Sequence, residues 1–374
     1  MKFIHLADLH LGKKIGDYNL DLVQKDALNQ VVELMKDKDI DACIIAGDIY
    51  DSKNPTVEAY NLLDEFLYKL HKLNKKVLMI SGNHDQEDKL NFGSKIFQND
   101  GIYINCNVSN SINPIVIDDV NFYLLPFVNK YDIKSAFNLD ETLDLNESLK
   151  LVIEKMNIDK TKKNVIVSHQ AVVGSTRVSP SGSEVSISVD SEGYIGGEDI
   201  VSANIYKDFN YCALGHIHKA YNVDKHMRYP GALLKYHKDE ANYKKTFTIV
   251  DTTDFSIEEI PFKPLQDVVL LSGSYEEIKT KAEYKNDFVF FKLTDSNYIL
   301  DVMSKLKTIF KYACSISYSD VKNNYNNTKI YENIDKVSKF DLFNDLYKSK
   351  MGIDLNQNQI DIVKNAIKQI WDEE

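Results

Sequence analysis

The sequence predicts an α/β protein built on a largely parallel sheet. Along the first hundred residues, short apolar runs alternate with stretches whose apolar residues recur at helical spacing. Strands that alternate with helices are joined by right-handed crossovers and lie parallel. Five apolar runs also end in small groups of Asp, Asn and His residues. With 374 residues, of which 43% are hydrophobic, the chain is long enough for two or three domains with real cores.

The first part of the chain carries the parallel pattern. One helix is predicted over residues 20–36. A second is predicted over residues 55–71, with Pro55 at its first position, where the missing N–H costs no hydrogen bond. The strands predicted around these helices cover residues 3–7, 41–46 and 77–81.

Beyond residue 100 the predicted strands become shorter. One helix is predicted over residues 146–156. A loop rich in Ser and Gly, residues 174–197, has two interpretations: a segment that closes over a binding site, or a disordered loop. The predicted strands here cover residues 102–104, 115–117, 122–125, 164–168, 210–214, 227–229, 246–250 and 257–260.

Two prolines, Pro261 and Pro264, mark a predicted domain boundary. After them, a β-α-β-α-β pattern indicates a small α/β domain. A polar stretch rich in Asn and Lys then indicates a linker, and two amphipathic helices are predicted over residues 339–351 and 357–371. The predicted division of the chain is 1–262, 263–320, 321–338 and 339–374.

Composition limits the classes of protein that fit. The formal net charge is −11, which is not the usual charge of a nucleic-acid binder, although local patches and bound metal ions decide the field at a site. The four cysteines show no paired spacing, which favours buried free thiols in a reducing compartment. The N-terminus lacks a signal-peptide pattern, and no apolar run approaches the roughly 20 residues of a membrane span. We therefore expect a soluble cytoplasmic protein without a membrane segment.

Polar residues follow five of the predicted strands. Because ligands bind at the carboxyl ends of strands in open α/β sheets, we expect these residues to share one site. Imidazole, carboxylate and amide groups together suit manganese, iron or zinc, and they are too many for one tetrahedral ion. Two ions bridged by a carboxylate can activate water and stabilise the oxygens of a phosphoryl transfer. The candidate residues are Asp8, His10, Asp48, Asn83, His84, His169, His216 and His218.

Taken singly, each of these residues has a structural interpretation. Asp8 could cap a helix, Asp48 could belong to a turn, and His169 could be a core histidine. His216 and His218 would point to opposite faces of a strand, so they reach one site only from a turn, which the preceding glycine allows. Because the structural interpretation requires a coincidence at all five strand ends, the sequence favours a metal site.

The polar motifs at the five strand ends resemble those of a known protein family. Together they are similar to the motif set of the calcineurin-like metallophosphoesterases, in order and in spacing. The finer resemblance is to the SbcD branch, bacterial nuclease subunits, and it covers nearly the whole chain, more weakly beyond Pro264. The motifs that carry it are Asp8-Leu9-His10-Leu11-Gly12, Gly47-Asp48-Ile49-Tyr50-Asp51, Gly82-Asn83-His84-Asp85, Ser168-His169, Gly196-Gly197, Phe209-Asn210-Tyr211, Gly215-His216-Ile217-His218 and Arg228-Tyr229-Pro230-Gly231-Ala232.

The resemblance implies a fold and an assignment of roles. The fold is a metallophosphoesterase β-sandwich flanked by helices, with a small α/β capping domain and a C-terminal helical tail. His84 is implied as a general acid or electrostatic stabiliser, oriented by Asp85 or another carboxylate. At Asp51 archaeal relatives have a second histidine, whose role does not transfer. Two ions, normally Mn²⁺, are held by Asp8, His10 and His218, by the bridging Asp48, and by Asn83, His169 and His216.

The implied activity is DNA hydrolysis. The resemblance predicts a 3′-to-5′ exonuclease on duplex ends and an endonuclease on single strands, acting with an SbcC ATPase on DNA ends and hairpins in repair or recombination. One alternative is a small-molecule phosphodiesterase, which needs neither a capping domain nor a helical tail. The other is a non-catalytic DNA-end scaffold, against which the complete ligand set argues.

Contacts with DNA and partners are expected outside the metal site. Lysines and arginines near the motifs could meet DNA phosphates without reading sequence, or could be ordinary solvated side chains. An apolar stripe in the tail could bind SbcC or pack on its own chain. The resemblance also implies a homodimer through residues 55–71 and 94–98, within a heterotetramer. The candidate residues are Lys13, Lys14, Arg177 and Arg228 for DNA, and Phe340, Phe343, Leu346 and Tyr347 for SbcC.

Overall fold

Two packed sheets dominate the computed structural model, which describes residues 1–140, 142–174, 200–319, 338–351 and 353–371. The sheets pack face to face, and helices cover their outer faces. The predicted α/β class is confirmed, and so is the parallel pairing of the first strands.

Strands and helices are numbered in chain order. The strands of the described residues are β1 (Lys2–Leu6), β2 (Lys14–Ile15), β3 (Tyr18–Asn19), β4 (Ala42–Ala46), β5 (Lys76–Ile80), β6 (Ile102–Asn105), β7 (Ile115–Ile117), β8 (Val120–Leu125), β9 (Lys163–Ser168), β10 (Ala171–Val173), β11 (Ile200–Ser202), β12 (Tyr211–Leu214), β13 (Tyr221–Asn222), β14 (Met227–Tyr229), β15 (Thr246–Asp251), β16 (Ser256–Pro261), β17 (Val268–Gly273), β18 (Phe288–Leu293) and β19 (Tyr312–Tyr318). The helices are α1 (Asp21–Asp37), α2 (Val57–Lys72), α3 (Glu87–Leu90), α4 (Ser94–Phe97), α5 (Lys130–Phe137), α6 (Leu145–Lys155), α7 (Tyr275–Ile278), α8 (Val302–Lys307), α9 (Lys339–Met351) and α10 (Gln357–Trp371).

The two large sheets have the same plan. The first has the order β16-β15-β1-β4-β5-β6, and the second has the order β13-β14-β12-β9-β8-β7. In each, four neighbouring strands pair in parallel, and each of the other strands pairs antiparallel with its neighbour. Parallel strands place their carboxyl ends along one edge, so the loops that follow β1, β4, β5, β9 and β12 can meet there.

Alternation along β4 shows how the sandwich is filled. Ala42, Ile44 and Ala46 belong to the apolar layer between the sheets, whereas Cys43 and Ile45 belong to the core under α1 and α2. Because side chains alternate with a period of two, these two sets point to opposite faces of the strand. Each set lies in a core, so both faces of the strand are buried. This explains the unbroken apolar run from which the strand was predicted.

Helix α2 begins later than the sequence suggested. Thr56 is its N-cap and accepts a hydrogen bond from the N–H of Ala59, so the first helical residue is Val57. The prediction that Pro55 occupies the first helical position is therefore wrong. A threonine N-cap satisfies an orphan N–H, and this interaction decides where the helix starts.

A third, smaller sheet follows the predicted boundary. Strands β17, β18 and β19 run parallel, and α7 and α8 pack on them around Ile278, Leu306 and Phe310. The predicted β-α-β-α-β order is confirmed, although both helices are shorter than the sequence predicts, which is 275–282 for the first and 299–310 for the second. The sequence analysis also missed short elements that depend on tertiary pairing, among them β2, β3, β10, β11, β13 and α5.

The tail helices α9 and α10 have the predicted bounds and contact each other. Most of the loop over residues 174–197 and of the linker over residues 321–338 lies outside the described residues, so those two predictions stay predictions. No helix in the described ranges is both long and apolar enough to cross a membrane.

Candidate metal centre

The loops after five parallel strands meet at one edge of the sandwich, in an unusual backbone conformation. The N–H of Asp8 donates to the carbonyl of Gly47 at 3.0 Å, and that of His10 donates to the carbonyl of Asp48 at 3.0 Å. Asp8, His10, Asp48 and His216 all have positive φ, at 53°, 43°, 50° and 93°. Such conformations cost about 1–3 kcal/mol each and cluster at functional sites.

Two glycines allow the loops to approach closely. A Cβ at Gly82 would overlap Oδ1 of Asp48, and a Cβ at Gly215 would overlap the carbonyl oxygen of Ala46. Because these obstacles belong to the strand-end loops themselves, no larger residue fits at either position without moving the site.

The first group of converging side chains contains Asp8, His10 and His218. Their ligand atoms all lie within 4.8 Å of one another, and Nε2 of His10 is 3.1 Å from Nε2 of His218. All three side chains are buried. Two ligands bound to one ion at about 2.0–2.2 Å lie roughly 3–3.5 Å apart, so this spacing fits a cation between the two rings.

The second group contains Asn83, His169 and His216. Oδ1 of Asn83 is 3.2 Å from Nε2 of His169 and 3.0 Å from Nδ1 of His216. Asp48 lies between the groups: its Oδ1 is 3.4 Å from Nε2 of His169, and its Oδ2 is 3.6 Å from Nε2 of His10. The structure thus brings together the seven expected ligands, with one carboxylate facing both groups.

Other side chains and carbonyls orient these ligands. Nδ1 of His169 donates to the carbonyl of Ala46 at 2.6 Å, which leaves Nε2 as the ring nitrogen that could bind a metal ion. Nδ1 of His218 faces Oε1 of Glu240 at 3.1 Å, and Lys245 donates to the other oxygen of Glu240 at 2.9 Å. A carboxylate behind a histidine fixes its tautomer and orientation.

Glu240 is a residue that sequence reasoning missed. It is fully buried, yet it lies in a single 3₁₀ turn, Lys238–Glu240, that follows no apolar run. Its contact with His218 spans 22 residues and forms only in the folded chain. No strand-end pattern could have identified it.

Electrostatics keep several ligands in the form that a cation needs. Burial lowers the pKa of His216 to about 3, assisted by the neighbouring His169. Burial also lowers the pKa of His10 well below its usual range, against the opposing effect of Asp48. Both rings are therefore neutral and able to donate a lone pair.

His169 is the exception among these rings. Burial lowers its pKa, but the Asp48 and Asp8 carboxylates and the carbonyl of Ala46 together outweigh burial and raise the value to about 9. Burial would in turn raise the pKa of Asp48, but His169, His10 and His84 together outweigh that effect and hold it well below the usual range. In the metal-free protein the two groups form an ion pair, so a cation must displace the proton of His169.

His84 lies beside the first group. Its backbone N–H donates to Oδ1 of Asp48 at 2.9 Å, and its Nδ1 donates to the carbonyl of Asp51 at 2.9 Å. Its ring is 4.9 Å from that of His10 and is half-buried. With Nδ1 engaged, Nε2 is the ring nitrogen that can face a substrate oxygen.

Asp85 does not have the position that the sequence suggested. Its carboxylate accepts hydrogen bonds from three backbone N–H groups: Ile49 at 3.1 Å, Tyr50 at 2.9 Å and Gly82 at 2.9 Å. Among the described residues, the carbonyl of Asp51 accepts the hydrogen bond from the ring of His84, and no carboxylate does so. Asp85 therefore joins the loop after β5 to the loop after β4, and the expectation that it orients His84 is corrected.

The residues expected to contact DNA differ in position. Lys14 is exposed, and Lys13 pairs with Asp51 at 2.5 Å; Arg177 lies outside the described residues. Arg228 is only 2% exposed. Its guanidinium contacts Glu259 at 2.9 Å, Thr248 at 3.1 Å and Asn222 at 2.7 Å. Because Arg228 ties the two sheets together inside the protein, the expected contact with DNA phosphate does not fit its position.

Replacing Arg228 with methionine is expected to destabilise the fold. The substitution keeps an apolar stem but removes charged hydrogen bonds, so we expect a loss of about 2–3 kcal/mol in the free energy of unfolding. Urea unfolding followed by circular dichroism measures this loss, with the exposed Lys14→Met as control. If R228M kept its stability and lost DNA affinity instead, the structural role would be wrong.

Comparisons with known proteins agree with the geometry. A model of the calcineurin-like phosphoesterase family matches residues 1–220, and one described as the type 5 capsule protein repressor C-terminal domain matches residues 262–351. A relative from Staphylococcus epidermidis, the SbcD chain of the nuclease SbcCD, is 31% identical over 386 residues, and the match covers 100% of each chain.

Two solved structures also match. The protein TT1561 of Thermus thermophilus is 12% identical over 70% of this chain and 98% of its own, with a TM-score of 0.41. A dimetal phosphatase from Danio rerio is 14% identical over 71% of this chain and 98% of its own, with a TM-score of 0.39. These low scores carry no argument about function.

The sandwich and its converging ligands define a metallophosphoesterase, and the chain belongs to the calcineurin-like phosphoesterase family. It is a phosphodiester hydrolase that depends on divalent metal ions, which the buried carboxylate, imidazole and amide donors fit. Over its whole length the chain belongs to the SbcD family of nuclease subunits.

Proposed function

We propose that this chain is a dinuclear-metal DNA nuclease. The observation that carries the proposal is the convergence of six buried or half-buried ligands around a seventh, Asp48, whose two carboxylate oxygens face His10 and His169. The relative that is similar along the whole chain is a nuclease subunit, which selects a nucleic acid over a small phosphodiester. The small third sheet and the tail helices add surface that a small-molecule enzyme does not need.

The distances support the ligand assignment that the resemblance implies. Asp8, His10 and His218 would hold one ion, and Asn83, His169 and His216 would hold the other, with Asp48 between them. When bound, two such ions supply an activated water and charge stabilisation for both reacting oxygens. We propose Mn²⁺ because the resemblance to the SbcD branch implies it, and the imidazole, carboxylate and amide donors fit it as they fit iron and zinc.

The remaining roles belong to the protein. His84, held at Nδ1 by the carbonyl of Asp51, presents Nε2 to the leaving oxygen and either donates a proton or stabilises its charge. Asp85 holds the loop that carries Asn83 and His84 against the loop that carries Asp48. The side chains of the protein thus hold the ligand loops in place and present the His84 ring to the leaving oxygen.

The finer activity and the partners are part of the same proposal. We assign 3′-to-5′ exonuclease activity on duplex ends and endonuclease activity on single strands, with an SbcC-like ATPase as partner. In α9, Phe343 and Leu346 are 42% and 56% exposed, and Phe340 and Tyr347 are half-buried, which supports a docking helix. Exposed Val57 and Ile96 support the homodimer helices, and four free thiols support a cytoplasmic location.

A digestion with alternative substrates tests the activity. Purified protein is incubated with 3′-labelled duplex DNA, circular single-stranded DNA and a cyclic nucleotide, each with Mn²⁺, Mg²⁺ or Zn²⁺. We expect cleavage of both DNAs with Mn²⁺ and none after chelation, because the bound ions would supply the activated water. Hydrolysis of the cyclic nucleotide alone would overturn the nuclease proposal in favour of a small-molecule enzyme.

A further inference from the structure

Phe127 lies where a tightly held segment reaches the metal centre. Within residues 122–128, all of which the structure describes, it alone is not buried. Its N–H donates to the carbonyl of Ser81 at 2.9 Å, and the next carbonyl, that of Val128, accepts from the buried Gln170 at 2.8 Å. The backbone on both sides of the ring is therefore fixed, and the partly exposed position of the ring is set by the fold.

The ring lies against the second group of metal ligands. Its centroid is 6.0 Å from that of His216, with an interplanar angle of 32°, and 6.3 Å from that of His169, with an angle of 76°. The Phe127 side chain has no polar atom, so it forms no hydrogen bond with either histidine. His169 is oriented by the carbonyl of Ala46, and His216 faces Asn83.

The partly exposed ring of Phe127 offers an apolar surface beside the polar metal centre, and a bound molecule with a flat apolar face could cover it. Each nucleobase has a π-face that stacks on aromatic side chains, and such stacking does not depend on base identity. The first turn of α5, which follows directly, adds the 65% exposed Tyr131, with the Lys130 ammonium 5.5 Å from its ring. Aromatic rings beside ammonium groups are the composition of surfaces that bind single-stranded nucleic acid.

We infer that Phe127 is a stacking platform for an unpaired nucleobase next to the scissile phosphate. This inference rests on the proposed nuclease function and specifies its substrate. A base inside a duplex is already stacked on its neighbours, so the platform selects single strands and frayed 3′ ends. The phosphate then lies beside the metal ligands while the base covers the ring.

Two matched substitutions and two matched oligonucleotides test the inference. Phe127→Leu keeps an apolar side chain but removes the aromatic face, whereas Phe127→Trp keeps a face. The oligonucleotides have the same phosphates, one with bases and one with abasic residues at every position. Affinity is measured by fluorescence anisotropy with metal-free protein, and cleavage is measured with Mn²⁺.

We expect F127L to bind the oligonucleotide with bases about 5- to 100-fold more weakly, the equivalent of one lost stacking contact. We expect it to bind the abasic oligonucleotide as the unsubstituted protein does, and F127W to retain affinity for both. If F127L lost the same affinity for both oligonucleotides, or bound metal more weakly, the ring would only pack against His216. That result would overturn the stacking inference but not the nuclease proposal. If the unsubstituted protein cut duplex DNA but neither bound nor cut single-stranded DNA, the platform and the single-strand activity would be overturned; failure to cut any DNA would overturn the nuclease proposal itself.

Discussion

Replacing His84 with alanine is expected to lower kcat for DNA cleavage by about 10²- to 10⁴-fold while two metal ions still bind. The ring of His84 faces the site from the side of His10, but its Nδ1 is engaged by a carbonyl and its role at Asp48 is performed by the backbone N–H. Alanine keeps that N–H and removes only the ring. The loss therefore falls on the step in which the leaving oxygen gains charge or a proton.

The metal content separates this role from that of a ligand. Metal analysis after gel filtration, together with Mn²⁺ titration, is expected to give the same stoichiometry for H84A and the unsubstituted protein. His226→Ala, in the turn between β13 and β14, serves as the matched histidine control and is expected to leave kcat unchanged. Loss of an ion from H84A would instead make His84 a ligand and remove its assignment as proton donor.

The ligands at the strand ends could be predicted because the end of an apolar run in the sequence marks the end of a parallel strand in the fold. Asp48 follows the buried run of β4, and His169 follows that of β9. The carboxyl ends of parallel strands lie along one edge of the sheet. A polar residue that directly follows an apolar run is therefore expected at that edge. The same reasoning predicts nothing about which way a side chain turns.

Asp85 and Arg228 show this limit. Asp85 directly follows His84, yet its carboxylate points back into the protein, towards N–H groups near residue 50 that are distant in sequence. Arg228 is charged and was expected to contact DNA, but β14 pairs with the central strand β12, and the buried side chain contacts the buried Thr248 and the exposed Glu259. A buried charge is stable only with such partners, and a sequence does not show them.

Glu240 leads to a second large effect. Replacing it with alanine is expected to weaken the binding of the ion near His218 by about 10- to 100-fold, because His218 loses the carboxylate that orients its ring. The same change leaves Lys245, whose side chain is 6% exposed, without its carboxylate, so we expect a loss of about 3–5 kcal/mol in stability. Mn²⁺ titration by calorimetry and urea unfolding of the chelated protein measure the two effects separately.

A double substitution distinguishes orientation from simple loss of a buried charge. In Glu240→Gln with Lys245→Met, the amide oxygen can still accept from Nδ1 of His218, and no ammonium remains buried without a counter-charge. This variant is expected to regain most of the stability and to bind Mn²⁺ more tightly than Glu240→Ala with Lys245→Met, which offers no acceptor. Equal Mn²⁺ affinity in the two double variants would mean that Glu240 only balances Lys245. An advantage for glutamine would show that the acceptor behind His218 sets the strength of the metal site.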